Sequence, residues 1–294
     1  MHNRNWSKKI FIGAMILPVL LFLIVMTIYP LATTLIYSLT DFELLKDEIQ
    51  FISFENYIEL IKDDNFKNAV GITIKFTLLS LLCEMIIGFS IAIYVNSLKN
   101  NFFQKILRTV LLIPSLLPTV TVALSWRMMF SVNYGFVNKV LEGLGFNTYN
   151  WFSDINTAFK MLVVVDVWQN TPIVFLLLYS ALQTIPKEQY EAAKMDGANK
   201  LQSVINVTIP NMKMQLVVCA MIRTIDAFRI FDKVNLLTGG GPANSTTTIS
   251  QYIYKYGIKT LEFGYASAGI IIMTLIVVTF SCPYIKKMMR GKNV

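Results

Sequence analysis

The chain has 294 residues, of which 54% are hydrophobic and 15% charged, with a formal net charge of +8 and a mean hydropathy of +0.54. A soluble domain of this composition would expose large apolar patches, so the composition indicates a membrane protein. The sole histidine is His2, which argues against a histidine-based catalytic centre. Cys83, Cys219 and Cys282 lie far apart in apolar runs and are interpreted as small core residues, with no metal-site spacing.

Apolar runs long enough to cross a bilayer recur along the chain. A helix of about 20 mostly apolar residues spans a hydrocarbon core of about 30 Å. The runs that reach this length lie near 10–30, 70–96, 107–130, 157–182, 213–233 and 264–284. The sequence therefore predicts an all-α, polytopic membrane protein with six transmembrane helices. The first run lacks a small-residue cleavage site, which favours a retained helix over a signal peptide.

The distribution of Lys and Arg predicts the orientation in the membrane. Three segments contain basic residues and no acid, and these residues are Arg4, Lys8, Lys9, Lys99, Lys105, Arg108, Lys286, Lys287, Arg290 and Lys292. Such segments are typical of the cytoplasmic side, so both termini are expected in the cytoplasm. The acid-rich segment 40–69 is expected outside. The basic excess is thus better explained by orientation and anionic lipid than by nucleic-acid binding.

The polar stretch 183–210, between the fourth and fifth runs, has the signals of a helical hairpin. Pro186 suits the first turn of a helix, Asp196-Gly197 turns the chain, and Pro210 leads into the fifth run. A second helix is expected over about 199–206. An ordinary amphipathic connector stays an alternative, but connectors of this length are uncommon without a role. The pattern favours a docking element for another protein.

This stretch resembles the cytoplasmic loop of binding-protein-dependent ABC importer permeases. The family pattern is Glu-Ala-Ala, three residues, Gly, nine residues, Ile, one residue, Leu-Pro. The corresponding residues here are Glu191, Ala192, Ala193, Gly197, Val207, Ile209 and Pro210. Val207 and Ile209 depart from the commonest residues but are aliphatic, and the spacing is intact.

Further motifs resemble the carbohydrate-importing permeases related to the larger maltose permease subunit. They are Arg223 to Asp232 (RTIDAFRIFD), Leu237 to Thr246 (LTGGGPANST), Phe263 to Ala268 (FGYASA) and Ala181 to Pro186 (ALQTIP). The resemblance covers roughly residues 10–285. The large inserted outer domain and extra N-terminal helices of that maltose subunit are missing here, so its specific contacts with a binding protein are not transferred.

The resemblance implies the type I permease fold of ABC importers and a set of partners. These are a second homologous permease subunit, two cytoplasmic ATPase subunits that use ATP and Mg, an extracytoplasmic sugar-binding protein and membrane lipid. This chain is expected to bind no cofactor and to catalyse no reaction. The residues that would couple it to an ATPase are Glu191, Ala192, Ala193, Asp196, Gly197 and Pro210.

Charged residues on the fifth run point to the solute pathway, because charges at membrane depth persist where partners or water compensate them. Arg223, Asp226, Arg229 and Asp232 alternate in sign at a spacing of three, which allows successive helical pairs. Mutual neutralisation and contact with solute both stay open for Arg223, Arg229 and Asp232.

The family resemblance aligns particular residues with solute-contacting positions of the maltose subunit. They are Asp226, Ala227 and Ile230 on the fifth run, and Asp166, Gln169, Asn170 and Ile173, around Trp168, on the fourth. Carboxylates and amides can pair with sugar hydroxyls, and an aromatic face can stack on a sugar ring. For Trp168, an interfacial or lipid-facing role is an equal alternative.

The expected function is therefore that of a permease subunit for sugar import, with a di- or oligosaccharide as the first choice of solute. Glycerol phosphate or another polyol is the alternative, followed by a secondary transporter outside the ABC class. The expected division of the chain is a cytoplasmic tail (1–9), a first transmembrane helix (10–39), an external loop (40–69), a core permease domain of five transmembrane helices (70–284) that includes the 183–210 loop, and a second cytoplasmic tail (285–294).

Overall fold

The structure is a computed structural model that describes residues 3–98 and 101–291. His2, Lys99 and Lys292, named above, lie outside the described residues. The helices are α1 (Asn3–Tyr37), α2 (Glu55–Lys62), α3 (Asp64–Ser97), α4 (Asn101–Leu116), α5 (Thr119–Met129), α6 (Phe136–Gly143), α7 (Ala158–Leu182), α8 (Lys187–Met195), α9 (Lys200–Ser203), α10 (Ile209–Asn211), α11 (Lys213–Phe228), α12 (Asp232–Leu237), α13 (Ile249–Tyr254) and α14 (Phe263–Gly291). π-helical turns at Val204–Thr208 and Lys255–Lys259 continue α9 and α13.

The predicted all-α class is confirmed, because the described residues form helices with one isolated β-bridge, between Thr40 and Phe51. Four helices are long and apolar enough to cross a membrane, and they lie in α1, α3, α7 and α14. Two bent pairs raise the number of crossings to six if each pair is one span.

Both bent pairs change the boundaries expected from hydropathy. The run 107–130 is not one straight helix, since α4 and α5 meet at an angle of 91°. Pro118 lies at this break and lacks the N–H that a continuous helix would use. The helical segment before residue 212 and α11 form an angle of 73°.

The run 213–233 also ends earlier than expected. α11 stops at Phe228, where Arg229 N–H bonds to Asp226 O at 3.1 Å and Ile230 N–H bonds to Ala227 O at 3.3 Å. Bonds that span three residues tighten the last turn and end the α-helix. Asp232 and Lys233 therefore lie on the separate helix α12.

The chain divides into two compact units. The first comprises residues 3–63 and Ile253–Thr274. In it, Asn56 is buried and its Nδ2 donates to Ser38 O at 3.0 Å and Thr40 O at 2.9 Å. Gly264 lies so close to Thr40 O that a Cβ would stand 2.1 Å from it. Within this unit, these contacts tie the part of the acid-rich segment up to residue 63 to the start of α14.

The second unit comprises Asp64–Tyr252 and residues 275–291, with α3 and α7 at its centre. Gly88 permits their close approach, since a Cβ there would lie 2.7 Å from Val174 Cγ1. One apolar cluster, around Phe175 and Leu178, packs α3 against α7. A second cluster, around Phe76 and Leu162, joins α3, α5, α7 and α12. Charged side chains meet beside this second cluster.

Candidate functional site: a polar cavity and a helical hairpin

A cavity of about 220 Å³ opens in the second unit among α7, α11 and the segment that leads into α12. We call it the polar cavity. Its lining residues are Thr119, Asp166, Asn170, Ile173, Arg223, Asp226, Arg229, Ile230, Phe231, Asp232 and Lys233. Five residues proposed from the sequence for the solute pathway lie in this lining: Asp166, Asn170, Ile173, Asp226 and Ile230.

Asp166 lines the polar cavity and is 4% exposed. Lys233 Nζ donates to Asp166 Oδ1 at 2.5 Å, and Asn170 Nδ2 donates to the same oxygen at 2.8 Å. The other oxygen, Oδ2, has no hydrogen-bond partner among the described residues, although Arg223 Nη2 lies 3.7 Å away. This carboxylate oxygen therefore keeps unused capacity to accept a hydrogen bond.

Arg223 is 3% exposed and connects the polar cavity to the helix behind it. Its Nε and Nη2 donate to the two carboxylate oxygens of Glu84, at 2.7 and 3.0 Å. Its Nη1 donates to Asp226 Oδ2 at 3.4 Å. A two-pronged contact between guanidinium and carboxylate fixes the direction of the arginine plane. Asp226 itself is 54% exposed at the cavity wall.

The alternating charge stripe predicted for the fifth run forms only in part. The Arg223–Asp226 pair is present, as the spacing of three suggested. Arg229 and Asp232 both line the polar cavity, but the end of α11 at Phe228 takes them out of one continuous helix. Arg223 is held mainly by Glu84, a residue 139 positions away in the sequence.

Three residues proposed for the solute pathway face elsewhere. Gln169 is buried, and its Nε2 donates to Leu117 O at 3.1 Å, beside the break between α4 and α5. Ala227 is buried in the second apolar cluster. Trp168 lines a different cavity, an apolar one of about 540 Å³ between α3, α4 and α7. The centroids of the Trp168 and Trp126 rings lie 5.6 Å apart, in an edge-to-face arrangement.

The second candidate site is the hairpin, residues 186–211. Pro186 precedes α8, and Asp196 caps its C-terminal end with a bond from its N–H to Ala192 O. Gly197 follows with a φ of +80°, a conformation that side chains with a Cβ rarely adopt. Asn199 and Gln202 then form a reciprocal capping box at the start of α9, with both bonds at 2.8 Å.

Two side-chain contacts join the arms of the hairpin. Tyr190 and Thr208 share a hydroxyl hydrogen bond of 3.0 Å, and Asn211 Nδ2 donates to Gln189 Oε1 at 2.7 Å. The second arm is helical from Lys200 to Asn211, longer than the expected 199–206. Pro210 lies within it, in α10.

The surface of the hairpin combines the motif residues with exposed apolar side chains. Glu191, Ala192, Asp196, Gly197 and Pro210 are exposed, and Ala193 is half-buried. Met195 is 89% exposed, Leu201 68% and Ile205 52%. Apolar side chains on an otherwise polar, protruding element are typical of a surface that another protein covers.

Comparison with known proteins assigns the chain to a family. Residues 85–283 match the model of the binding-protein-dependent transport system inner membrane component. The trehalose/maltose transport system permease protein MalF of Thermococcus litoralis is 36% identical over 272 residues, covering 92% of this chain and 91% of the relative. The chain belongs to the family of binding-protein-dependent transport system inner membrane components.

Membership in this family makes the chain a multi-pass subunit of the cytoplasmic membrane in an ABC transporter that depends on a binding protein. It is a transport subunit and not an enzyme, in agreement with the sequence-based expectation.

Two further relatives have comparable coverage. The sulfoquinovosyl glycerol transport system permease protein SmoG of Agrobacterium fabrum is 33% identical, covering 96% of this chain and 93% of the relative. The arabinooligosaccharides transport system permease protein AraP of Bacillus subtilis is 30% identical, covering 93% and 87%.

A solved structure confirms the expected permease fold. A chain of a bacterial alginate ABC transporter, crystallised in complex with an alginate pentasaccharide-bound periplasmic protein, superposes with a TM-score of 0.85. It is 21% identical, and the match covers 96% of this chain and 94% of that one.

Two buried charged residues at the polar cavity, Glu84 behind its wall and Lys233 in its lining, were not proposed as site residues from the sequence. Glu84 is an acid in the apolar middle of α3, and its exposure is 0%. A buried carboxylate in an apolar helix requires a compensating partner, and Arg223 on α11 provides it. Lys233 is equally buried and pairs with Asp166. Nothing in their local sequence spacing identifies these partners.

Proposed function

We propose that this chain is the solute-conducting permease subunit of an ATP-driven sugar importer, and that its solute is a di- or oligosaccharide. One observation carries the proposal: a cavity lined by carboxylates, an amide and basic side chains lies within the second unit of a family member. The names of MalF and AraP, which refer to trehalose/maltose and arabinooligosaccharides, support the choice of solute.

The chemistry of the polar cavity suits a molecule rich in hydroxyl groups. Carboxylate oxygens of Asp166 and Asp226 accept hydrogen bonds from hydroxyls, and Asn170 can both donate and accept. Hydrogen bonds to ionised groups are stronger than those between neutral groups. Ile173 and Ile230 supply apolar surface beside them. Gln169 and Ala227, also proposed from the sequence, would support the wall of the polar cavity from its buried side. Trp168 would support it from the neighbouring apolar cavity.

The hairpin is proposed to dock on a cytoplasmic ATPase subunit. Glu191, Asp196 and the exposed apolar side chains would make the contact, while Ala192 and Ala193 permit close approach and Gly197 and Pro210 set the hairpin's direction. Two ATPase subunits would use ATP and Mg, and this chain would bind no cofactor. Their closure would move the hairpin and, through α11, the wall of the polar cavity.

The remaining partners and the orientation follow from the same proposal. A second homologous permease, either another chain or a second copy of this one, would complete the pathway. An extracytoplasmic sugar-binding protein would deliver the solute on the side of the acid-rich segment 40–69. The basic segments at both termini would lie in the cytoplasm, next to anionic lipid.

A polyol or glycerol phosphate is the second candidate, and the name of SmoG, which refers to sulfoquinovosyl glycerol, gives it limited support. The polar cavity favours the first candidate, because two of its three basic residues, Arg223 and Lys233, already lie within ion-pair distance of carboxylates. A secondary transporter outside the ABC class does not account for the family match.

Reconstitution tests the proposal. The chain is purified with its ATPase, permease and binding-protein partners, and the sugar retained by the binding protein is identified. The complete assembly in liposomes should take up that sugar only with ATP and binding protein present. Uptake that continues without ATP and follows an ion gradient would contradict the proposal.

A further inference from the structure

Glu84 lies behind the polar cavity and outside its lining. Its carboxylate is 0% exposed and receives both prongs of the Arg223 guanidinium, at 2.7 and 3.0 Å. Arg223 is itself part of the cavity lining. The solute therefore meets Arg223 but not the carboxylate that holds it.

An arginine in a cavity wall ordinarily binds anions, since its planar fork matches carboxylate and phosphate groups. Here that fork is turned toward Glu84. Its remaining nitrogen, Nη1, points to Asp226 at 3.4 Å. With Asp166 Oδ2 also 3.7 Å from Nη2, an incoming anionic group would have to compete with three carboxylates for Arg223.

The charges around the polar cavity reinforce this geometry. The lining contains three aspartates and three basic residues, so its formal charges balance. Glu84 adds a fourth carboxylate directly behind Arg223, which makes the whole cluster formally acidic. A field of this sign disfavours an anionic solute and does little to a neutral one.

We propose that Glu84 determines the solute specificity of this permease by masking Arg223, so that the polar cavity accepts uncharged polyhydroxyl solutes and rejects phosphorylated or otherwise anionic ones. Glu84 is a positioning residue, since it acts through Arg223 without touching the solute. The inference rests on the proposed function of the polar cavity as the solute site.

The masking role differs from that of a purely structural ion pair. A structural pair would hold α3 and α11 together, and losing it would weaken assembly for every solute alike. A masking residue changes the ratio between neutral and anionic solutes. The ratio of the two affinities is therefore the decisive quantity.

Three assemblies are compared: wild type, Glu84→Gln, and the double variant Glu84→Gln with Arg223→Gln. Each is purified with its partner subunits into nanodiscs without binding protein. Retention of radiolabelled trehalose and of trehalose 6-phosphate is measured by equilibrium dialysis. In parallel, the rate at which phenylglyoxal modifies Arg223 is measured by peptide mass spectrometry, with the exposed Arg229 as internal reference.

The Glu84→Gln variant should shift the affinity ratio toward trehalose 6-phosphate by about tenfold, because a charge-assisted hydrogen bond to Arg223 becomes available to the phosphate. Phenylglyoxal should modify Arg223 faster in this variant. The double variant should show no such shift, since it has no arginine to release. An unchanged ratio in an assembled Glu84→Gln variant would overturn the proposal.

Three further outcomes also test the proposal. If Glu84→Gln fails to assemble but the double variant assembles, Glu84 serves only to neutralise the buried charge of Arg223, as in a structural ion pair, and the proposal falls. If both fail alike, Glu84 is a packing residue and the proposal falls. If wild type retains neither sugar, the proposed sugar site is wrong, whereas the phenylglyoxal rates still show whether Glu84 masks Arg223.

Discussion

The polar cavity and the hairpin position their functional residues in different ways. In the cavity, the buried charges are paired with residues far away in the sequence, as in Arg223–Glu84 and Lys233–Asp166. In the hairpin, the shape comes from neighbours: a capping box at Asn199 and a positive φ at Gly197. Mutation of one member of an ion pair should therefore disturb the whole cavity. The hairpin should instead be sensitive to local changes in backbone geometry.

The largest effect is expected from Arg223→Ala, because it leaves the buried Glu84 without its cation. Removing one partner of a buried ion pair costs about 3–5 kcal/mol. Thermal unfolding of the purified assembly should show a large drop in the transition midpoint. Arg229→Ala, which removes an exposed arginine from the same cavity wall, should change stability by no more than about 0.5 kcal/mol. Equal midpoints for the two variants would contradict the importance of the buried pairs.

The next effect concerns solute contact. Asp226→Ala and Asn170→Ala should each reduce sugar uptake by about tenfold or more, since each removes hydrogen bonds to or from an ionised group. Assembly with the ATPase should survive, because Asp226 is 54% exposed. Uptake by proteoliposomes at several sugar concentrations measures the loss. Glu142→Ala, which removes an exposed carboxylate on α6, serves as the control. Wild-type uptake in both cavity variants would remove these residues from the site.

A third change acts on the hairpin through the backbone. Gly197→Val forces a β-branched residue into a φ of +80°, at a cost of about 1–3 kcal/mol. Nothing lies within 4 Å of the added Cβ, so the strain acts on the backbone and not through a clash. ATP hydrolysis should continue without supporting uptake, and the ratio of the two rates measures this uncoupling.

Gly145→Val is a matched control for that variant. Gly145 has a φ of +83° and equally open surroundings, but it lies outside the hairpin. It should carry a similar strain and leave coupling intact. Equal uncoupling by both variants, or normal uptake with Gly197→Val, would argue against the hairpin's role.

The smallest effect is expected from Asn199→Ala, which removes the capping box at the start of α9. Loss of such a cap costs about 1 kcal/mol and should loosen only the first turn. Hydrogen exchange should become faster over Lys200–Ser203 while the amides of α8 stay protected. Faster exchange through the whole hairpin would show that its two arms are less independent than the local contacts imply.

The same contrast explains which features could be inferred from the sequence. The two helices and the turn of the hairpin could be predicted, because proline and glycine act on their immediate neighbours, although the second helix runs on to Asn211. The spacing of charges from Arg223 to Asp232 allows successive pairs along one helix, but α11 ends at Phe228 and the series of pairs stops there. Spacing could not reveal that Arg223 pairs with Glu84, since that contact depends on how α3 and α11 pack.

Hydropathy located the spans but not their bends. The run 107–130 has the length and composition of one crossing, yet the structure bends by 91° near Pro118. That proline was visible in the sequence, whereas the angle depends on tertiary packing. For Trp168, the sequence left both solute contact and a lipid-facing role open. In the structure its side chain lines the apolar cavity between α3, α4 and α7.

The most direct test of the account is a photo-cross-link from the tip of the hairpin. Met195, which is 89% exposed, is replaced by benzoylphenylalanine in the assembled transporter, and Leu144, 68% exposed at the end of α6, is replaced in a control. Illumination should join position 195, and not position 144, to the ATPase subunit, with a yield that changes when ATP binds. A transporter that still takes up sugar while position 195 forms no cross-link to an ATPase would contradict the account.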